Sequence, residues 1–250
     1  MSRSRAKAQS VQLLRVDGIP APVEVRRHPT ARRLTLRISH AARSVVLTIP
    51  RNTDVREADR FLAKSMDWVR QRLECVPEPV PFAAGSILPL RDVFHDVVLA
   101  GRRSGLPVVV EPNSFAGTRP RLIVSGDEEH VPRRLRDWMT AEAKRDLETQ
   151  VELHARRLAL TPRRISVRDQ KSRWGSCSSD GLLSFSWRLI LAPPFVLDYV
   201  AAHEVAHLAE MNHGPRFWRL VERTMPRLEE AKLWLRVNGM SLYRYGAELV

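Results

Sequence analysis

The stretch "HEVAHLAEMNHGPRFW", from His203 to Trp218, constrains local shape more tightly than any other part of the chain. His203 and His207 are four residues apart. On an α-helix that is one turn plus about 40°, so both imidazoles project from one face. Glu204 sits next to His203, angled off the line that joins them. His213 lies six residues beyond His207, about 240° around a continuous helix. It joins the other two only if the helix stops between them. Asn212 tolerates the left-handed conformation that ends helices, and Gly214-Pro215 blocks continuation. The segment predicts two imidazoles on a helix, a turn, a third imidazole swung back, and a new helix at "PRFW".

Two ring nitrogens at this spacing can meet one zinc ion at about 2.0–2.1 Å. The chain has 8 histidines and 16 glutamates in 250 residues. On that composition H-E-x-x-H arises by chance in about one or two of a hundred such chains. A third histidine at a fixed place makes coincidence about 30-fold rarer still. The preceding "PFVLDYVAA" is almost entirely apolar, so the helix is expected to be buried on most sides. Buried imidazoles and a buried carboxylate need partners, and one Zn2+ per chain would supply them. The bland alternative has His203 and His207 as hydrogen-bonded core residues and His213 as a turn residue.

Three protein ligands leave one position open on zinc, the pattern of a catalytic site. The expected chemistry is metal-activated water, its pKa brought to about 7, with Glu204 as general base passing the proton to a leaving amine. Arg216, Tyr199 and Asn212 are candidate second donors to the oxyanion.

Elsewhere the chain reads as α+β. The first ten residues are polar and basic and are expected to be disordered. Short β-rich runs fill 11–50, with clear alternation at Leu34, Leu36 and Ile38. One helix is predicted over 54–74, capped by Asn52, Thr53 or Asp54 and ended by "VPEPVPF". "HDVVLAG", "PVVVEP" and "RLIVSG" are further strands. Pro132 opens a long helix to about Leu158. "RISVRD" and "LLSFSWRLILA" (182–192) read as strands around a turn at Asp180-Gly181. The switch from β-rich to helix-rich near residue 130 suggests a β-rich region over 11–130, a core over 131–240 and a tail over 241–250.

Charge and cysteine content bound the function class. The net charge is +13 and only five of the 41 basic residues are lysine. An anionic partner, nucleotide or nucleic acid, is one reading of that surface; a solvated, arginine-biased surface is the other. Arg173, Arg188, Arg216 and Arg219 are near enough to the motif to bind phosphates, which admits a metal-dependent nucleoside triphosphate phosphohydrolase. Two cysteines, Cys75 and Cys177, make no disulfide framework. With no apolar run of about 18 residues and no apolar stretch after the basic N-terminus, a cytoplasmic location without membrane attachment is expected.

"SRWGSCSSDGLLSFSWRLILAPP" followed by "YVAAHEVAHLAEMNHGPRFW" resembles the YgjP-like (DUF45, M48-type) metallopeptidase family, related to the SprT and WLM zincin-like proteins. The resemblance is strongest over 165–220, and "RRHPTARRLTLRIS…VVLTIP" is also similar. It implies a zincin core with a mixed sheet, a backing helix and the H-E-x-x-H helix. It also implies His203, His207 and His213 as zinc ligands, Glu204 as base, and a peptide or protein substrate. SprT-like relatives suggest a nucleic-acid-associated protease, or in pure form a binding protein, as a further alternative. Residue 210 is Glu where the metzincin pattern has Gly, which argues against that clan. The resemblance gives "SRWGSCS" a role as a cleft wall lined by Arg173, Trp174, Ser176 and Cys177, whose free edge a substrate can pair with. The competing reading is a structural hairpin with Trp174 and Trp187 in the core. Cys177 is open to reading as a softer ligand or a plain buried thiol. Phe217 and Trp218 are expected to anchor the next helix, and Glu222 or Glu229 to support a ligand histidine or to face solvent.

Overall fold

In the computed structural model, residues 11–39, 44–74, 76–101, 105–113, 115, 117–170 and 173–247 are described. The N-terminal tail expected over 1–10, and Cys75, lie outside them. The chain forms two compact units that divide between Glu78 and Pro79.

The first unit is a four-stranded sheet with two helices. Strands β1 (Val11–Leu14), β2 (Val23–His28), β3 (Thr35–Ser39) and β4 (Ser44–Pro50) lie in the order β1-β2-β4-β3. β2 and β4 run parallel, and the outer pairings are antiparallel. Val23, Val45, Leu47 and Ile49 bury against Ala58 and Leu62 of α1 (Val55–Lys64) and Val69 of α2 (Met66–Glu74). Asp54 caps α1 by accepting from the Arg56 N–H at 3.2 Å. The single helix expected over 54–74 is broken at Ser65, whose hydroxyl donates back to the Phe61 carbonyl at 2.9 Å. Such back-bonding competes with the helix ladder and bends it.

The second unit carries the motif. Strands β5 (Ile87–Leu90), β6 (Val93–Leu99), β7 (Val108–Glu111) and β8 (Arg121–Val124) form a sheet in the order β5-β6-β8-β7. Their inward residues Leu88, Val97, Leu122 and Val124 share one core with Leu135, Met139 and Leu147 of α3 (Val131–Leu158). The compositional change near residue 130 therefore falls inside this unit, because the strands before it need the helix after it to bury their apolar face. Arg91, in a left-handed turn between β5 and β6, fixes that sheet to α3 by bonding Asp146 at 2.7 and 2.8 Å and Glu142 at 2.9 Å.

Three more strands, β9 (Arg164–Arg168), β10 (Gly175–Cys177) and β11 (Leu182–Ser186), form a mixed sheet in the order β10-β11-β9. β11 runs parallel to β9 and antiparallel to β10. The strand expected over 182–192 ends at Ser186. There the Ser186 hydroxyl accepts from the Arg188 N–H at 3.3 Å and starts a 3₁₀ turn over Trp187–Leu191. Helices α4 (Pro194–Ala206), α5 (Pro215–Thr224) and α6 (Leu228–Asn238) follow. A 3₁₀ segment, Gly239–Arg244, packs Leu242 and Tyr243 inward, and the Gly246 N–H donates to the Val80 carbonyl at 2.9 Å. Much of the stretch expected to be a tail after residue 240 is thus part of the fold. The mixed sheet, the long helix α3 behind α4, and the motif on α4 make the unit α+β.

Candidate metal centre

α4 begins at Pro194, where a missing N–H costs nothing, and buries Val196, Ala201, Ala202 and Val205. Burial of nearly every turn fixes its rotation, and hence the direction of His203 and Glu204. The helix stops earlier than the Asn-Gly-Pro break suggests. Ala206 is its last residue, and His207 is the C-cap in right-handed conformation. The chain then turns through Leu208, Ala209 and Glu210, whose N–H groups donate to Val205 and Ala206 carbonyls. No left-handed residue is used: Asn212 is not among the positive-φ positions, and Gly214 is extended. Pro215 is the first residue of α5, so the new helix starts at "PRFW".

The three imidazoles converge. One nitrogen from each of His203, His207 and His213 lies within 4.8 Å of the others. His203 Nε2 and His213 Nε2 are 3.1 Å apart. Two nitrogens bound tetrahedrally to one zinc are separated by about 3.3 Å, so this pair fits a shared ion closely. Outer contacts hold the rings. His207 Nδ1 lies 3.0 Å from the Glu210 carbonyl, leaving Nε2 for the cluster. The Tyr199 hydroxyl stands 3.5 Å from His203 Nδ1, on the ring's far side from the cluster. Phe217, fully buried at the start of α5, stacks within 4.5 to 4.8 Å of all three rings. Burial, together with the neighbouring imidazoles and Lys232, pushes the His203 pKa down to about 3. A ring kept neutral with a free nitrogen pair is a ligand in waiting.

Glu204 is 5% exposed, and burial raises its pKa to about 7 against the opposing pull of Arg173. Strand β10 passes directly over it. A Cβ on Gly175 would lie 2.5 Å from Glu204 Oε1 and 2.6 Å from its Cγ. Gly175 is therefore required for space, a role that the sequence signals only as a glycine in a strand.

β10 is an edge strand. The Ser186 N–H donates to the Trp174 carbonyl at 2.9 Å and the Ser178 N–H to the Leu182 carbonyl at 3.0 Å. In an antiparallel ladder bonded pairs alternate, so the N–H and C=O groups of Gly175 and Cys177 point away from β11, to the open edge.

The remaining candidates sort by position. Trp174 is half-buried, 5.2 Å from the Tyr243 ring and against Gly239, a packing role. Trp187 is buried in the core. Ser176 faces β11 beside Ser184. Cys177 is a thiol, its pKa pushed to about 11 by burial and by Glu204 and Asp180, and it is outside the histidine cluster. Arg188 is no surface phosphate ligand. It is buried between Trp187 and Tyr243, 3.4 Å from Asp169, and donates to the Tyr245 carbonyl. Arg216 and Arg219 are exposed, the former 4.0 Å from Glu210. Asn212 is exposed, and the Tyr199 hydroxyl stands against His203 Nδ1, its pKa raised by burial and by the Glu204 charge. Glu229 accepts from Lys232 at 2.8 Å, and Glu222 is exposed; the partner of His207 is a main-chain carbonyl instead.

A further imidazole went unsignalled. His154 of α3, fully buried, bridges the Thr224 hydroxyl at 2.6 Å and the Asp198 carboxylate at 2.7 Å, tying α3, α4 and α5 together.

Three imidazoles that converge from a helix end and the turn after it, beside a buried carboxylate and an open sheet edge, fit the class of metal-dependent hydrolases. A family model described as "YgjP-like, metallopeptidase domain" matches residues 32–238, and the chain belongs to that family. Among solved structures, the metallopeptidase zymogen of Pyrococcus abyssi abylysin is 22% identical, with a TM-score of 0.34, over 37% of this chain and 95% of that one. No curated protein matches the chain.

Proposed function

We propose that the chain is a zinc-dependent peptidase in which His203, His207 and His213 hold the ion and Glu204 is the general base. The observation that carries this reading is the convergence of three ring nitrogens within 4.8 Å next to a carboxylate poised near neutrality. Bound zinc would supply activation of water and polarisation of the scissile carbonyl. Glu204 takes the proton from the attacking water and returns it to the leaving amine. Its raised affinity for a proton suits both halves of that task. Gly175 and Cys177 offer main-chain donors and acceptors to an extended peptide, which adds as a strand to β10 and is held with its reacting bond above Glu204. Among the described residues no helix is long and apolar enough to cross a membrane.

A second reading keeps the metal and hydrolyses nucleoside triphosphates. Arg173 favours it, because this exposed guanidinium stands beside Glu204. Wild type and Glu204→Gln, both with zinc per chain measured, are incubated with unfolded protein and with nucleoside triphosphates. Proteolysis by wild type alone is the expected result. Phosphate release by wild type alone, with protein left intact, replaces the peptidase reading by the second one. Equal activity in both proteins removes Glu204 from the mechanism.

A further inference from the structure

The metal and acid–base residues leave one charged side chain beside them without a role. Arg173 is exposed, two residues before the glycine that lies on Glu204. Among the described residues no salt bridge engages it, and its charge is felt at Glu204. An exposed guanidinium beside the site is a ready fork for a carboxylate.

The edge of β10 says which part of a substrate it meets. Outward main-chain groups at Gly175 and Cys177 can bond a partner strand of either direction. The antiparallel one is slightly the more stable per residue, and in it each bonds both groups of one facing residue. A peptide so paired runs from Cys177 toward Gly175 and on toward Arg173. The Glu204 carboxylate beneath Gly175 marks the reacting bond. At about 3.3 Å per residue, Arg173 lies about 7 Å further along. Its side chain then reaches the first or second residue C-terminal to the bond.

We propose that Arg173 makes this site selective for substrates with a carboxylate side chain one or two residues C-terminal to the cleaved bond. The proposal rests on the peptidase reading of the site. Because Arg173 is exposed, the preference is modest, about three- to tenfold in kcat/KM, and weakens with salt.

The test uses the full zinc-loaded chain and matched peptides. They carry Glu, Gln or Lys at each of the two positions after the cleaved bond and, separately, at the two before it. Zinc per chain and Tm are measured on every variant. Wild type is expected to cut Glu peptides about three- to tenfold faster than Gln peptides, and Lys peptides slowest, at the positions after the bond only. Arg173→Gln flattens this order and Arg173→Glu inverts it; should the reversal variant misfold, Arg173→Gln alone carries the test. A wild type indifferent to charge, a preference on the N-terminal side, or one that survives in Arg173→Gln overturns the proposal while leaving the peptidase reading intact. If wild type cuts no peptide, that reading fails and this proposal fails with it. Triphosphate hydrolysis that depends on Arg173, with no peptide preference, also overturns it and assigns the side chain to phosphate.

Discussion

A cluster of three histidines and a lone buried histidine flank α4 on nearly opposite sides. Asp198 lies about 140° from His203 and about 180° from His207 around the helix. On one side His203, His207 and His213 turn nitrogens toward each other, with 3.1 Å between two of them. On the other side His154 turns both nitrogens toward oxygens, at 2.6 and 2.7 Å. Of two facing ring nitrogens one can donate an N–H to the other, but three converging on one point are all engaged together only by a cation. A ring between a hydroxyl and a carboxylate has every group satisfied and holds helices together. One residue type thus lines the proposed ligand site and makes a structural tie, and the facing atoms distinguish them.

The contrast predicts that the two sites fail in different ways. The largest effect belongs to the facing nitrogens and their carboxylate. Glu204→Gln should lower kcat by about 10²- to 10⁴-fold with zinc retained. His213→Ala should lose zinc as well. Because His213 is exposed, the metal-free Tm of His213→Ala should match that of the metal-free wild type. The readouts are turnover, zinc per chain and calorimetry. A large fall in metal-free stability for His213→Ala would make that cluster a structural tie too, and erase the contrast.

Next comes the strand that sets Glu204. Gly175→Ala places a methyl within 2.5 Å of its carboxylate, and a buried Glu204 has little room to retreat. A displacement of about 1 Å costs about 10²-fold in kcat. Zinc content should stay at the wild-type level, since the ligand rings are untouched. Unchanged kcat would mean that Glu204 swings freely and that β10 does not position it.

A smaller effect, on stability alone, is expected at His154. His154→Leu strands the Asp198 carboxylate and the Thr224 hydroxyl at a cost of about 1–3 kcal/mol. Denaturant unfolding reads this, and the zinc stoichiometry of the folded fraction should be unchanged. Loss of zinc at full stability would show instead that the tie acts through the metal site.

These sites also differ in how legible they are from sequence. His203 and His207 share one helix, so periodicity alone aligns them, and His213 declares itself by the break that follows. The position of the stop is not legible: the helix ends at Ala206, before Asn212 is reached. His154 lies 44 residues from Asp198 and 70 from Thr224, and no local pattern spans such separations. Gly175 reads as any strand glycine until Glu204 is seen beneath it. β6, β7 and β8 read as strands while β5 carries no such signal, and the partnership of all four with α3 is a matter of shared burial that spacing does not record. Local geometry is written in short intervals; tertiary meetings are not.

The smallest expected effect is in the metal-free protein's response to pH, where the two signs must be kept apart. Burial raises Glu204 from 4.5 to about 7, so the folded state holds that proton more tightly than the unfolded one. Its contribution to stability is full in acid and is lost as pH rises through about 7. His203 is lowered from 6.5 to about 3, so its contribution is present above 6.5 and is lost as pH falls toward 3. Between 4.5 and 6.5 the two slopes oppose each other. Removing the carboxylate unmasks the imidazole: chelated Glu204→Gln should gain stability with rising pH across that window, relative to chelated wild type. Urea unfolding at several pH values checks it. Parallel curves for the two proteins would mean that Glu204 does not titrate as a buried carboxyl across that window.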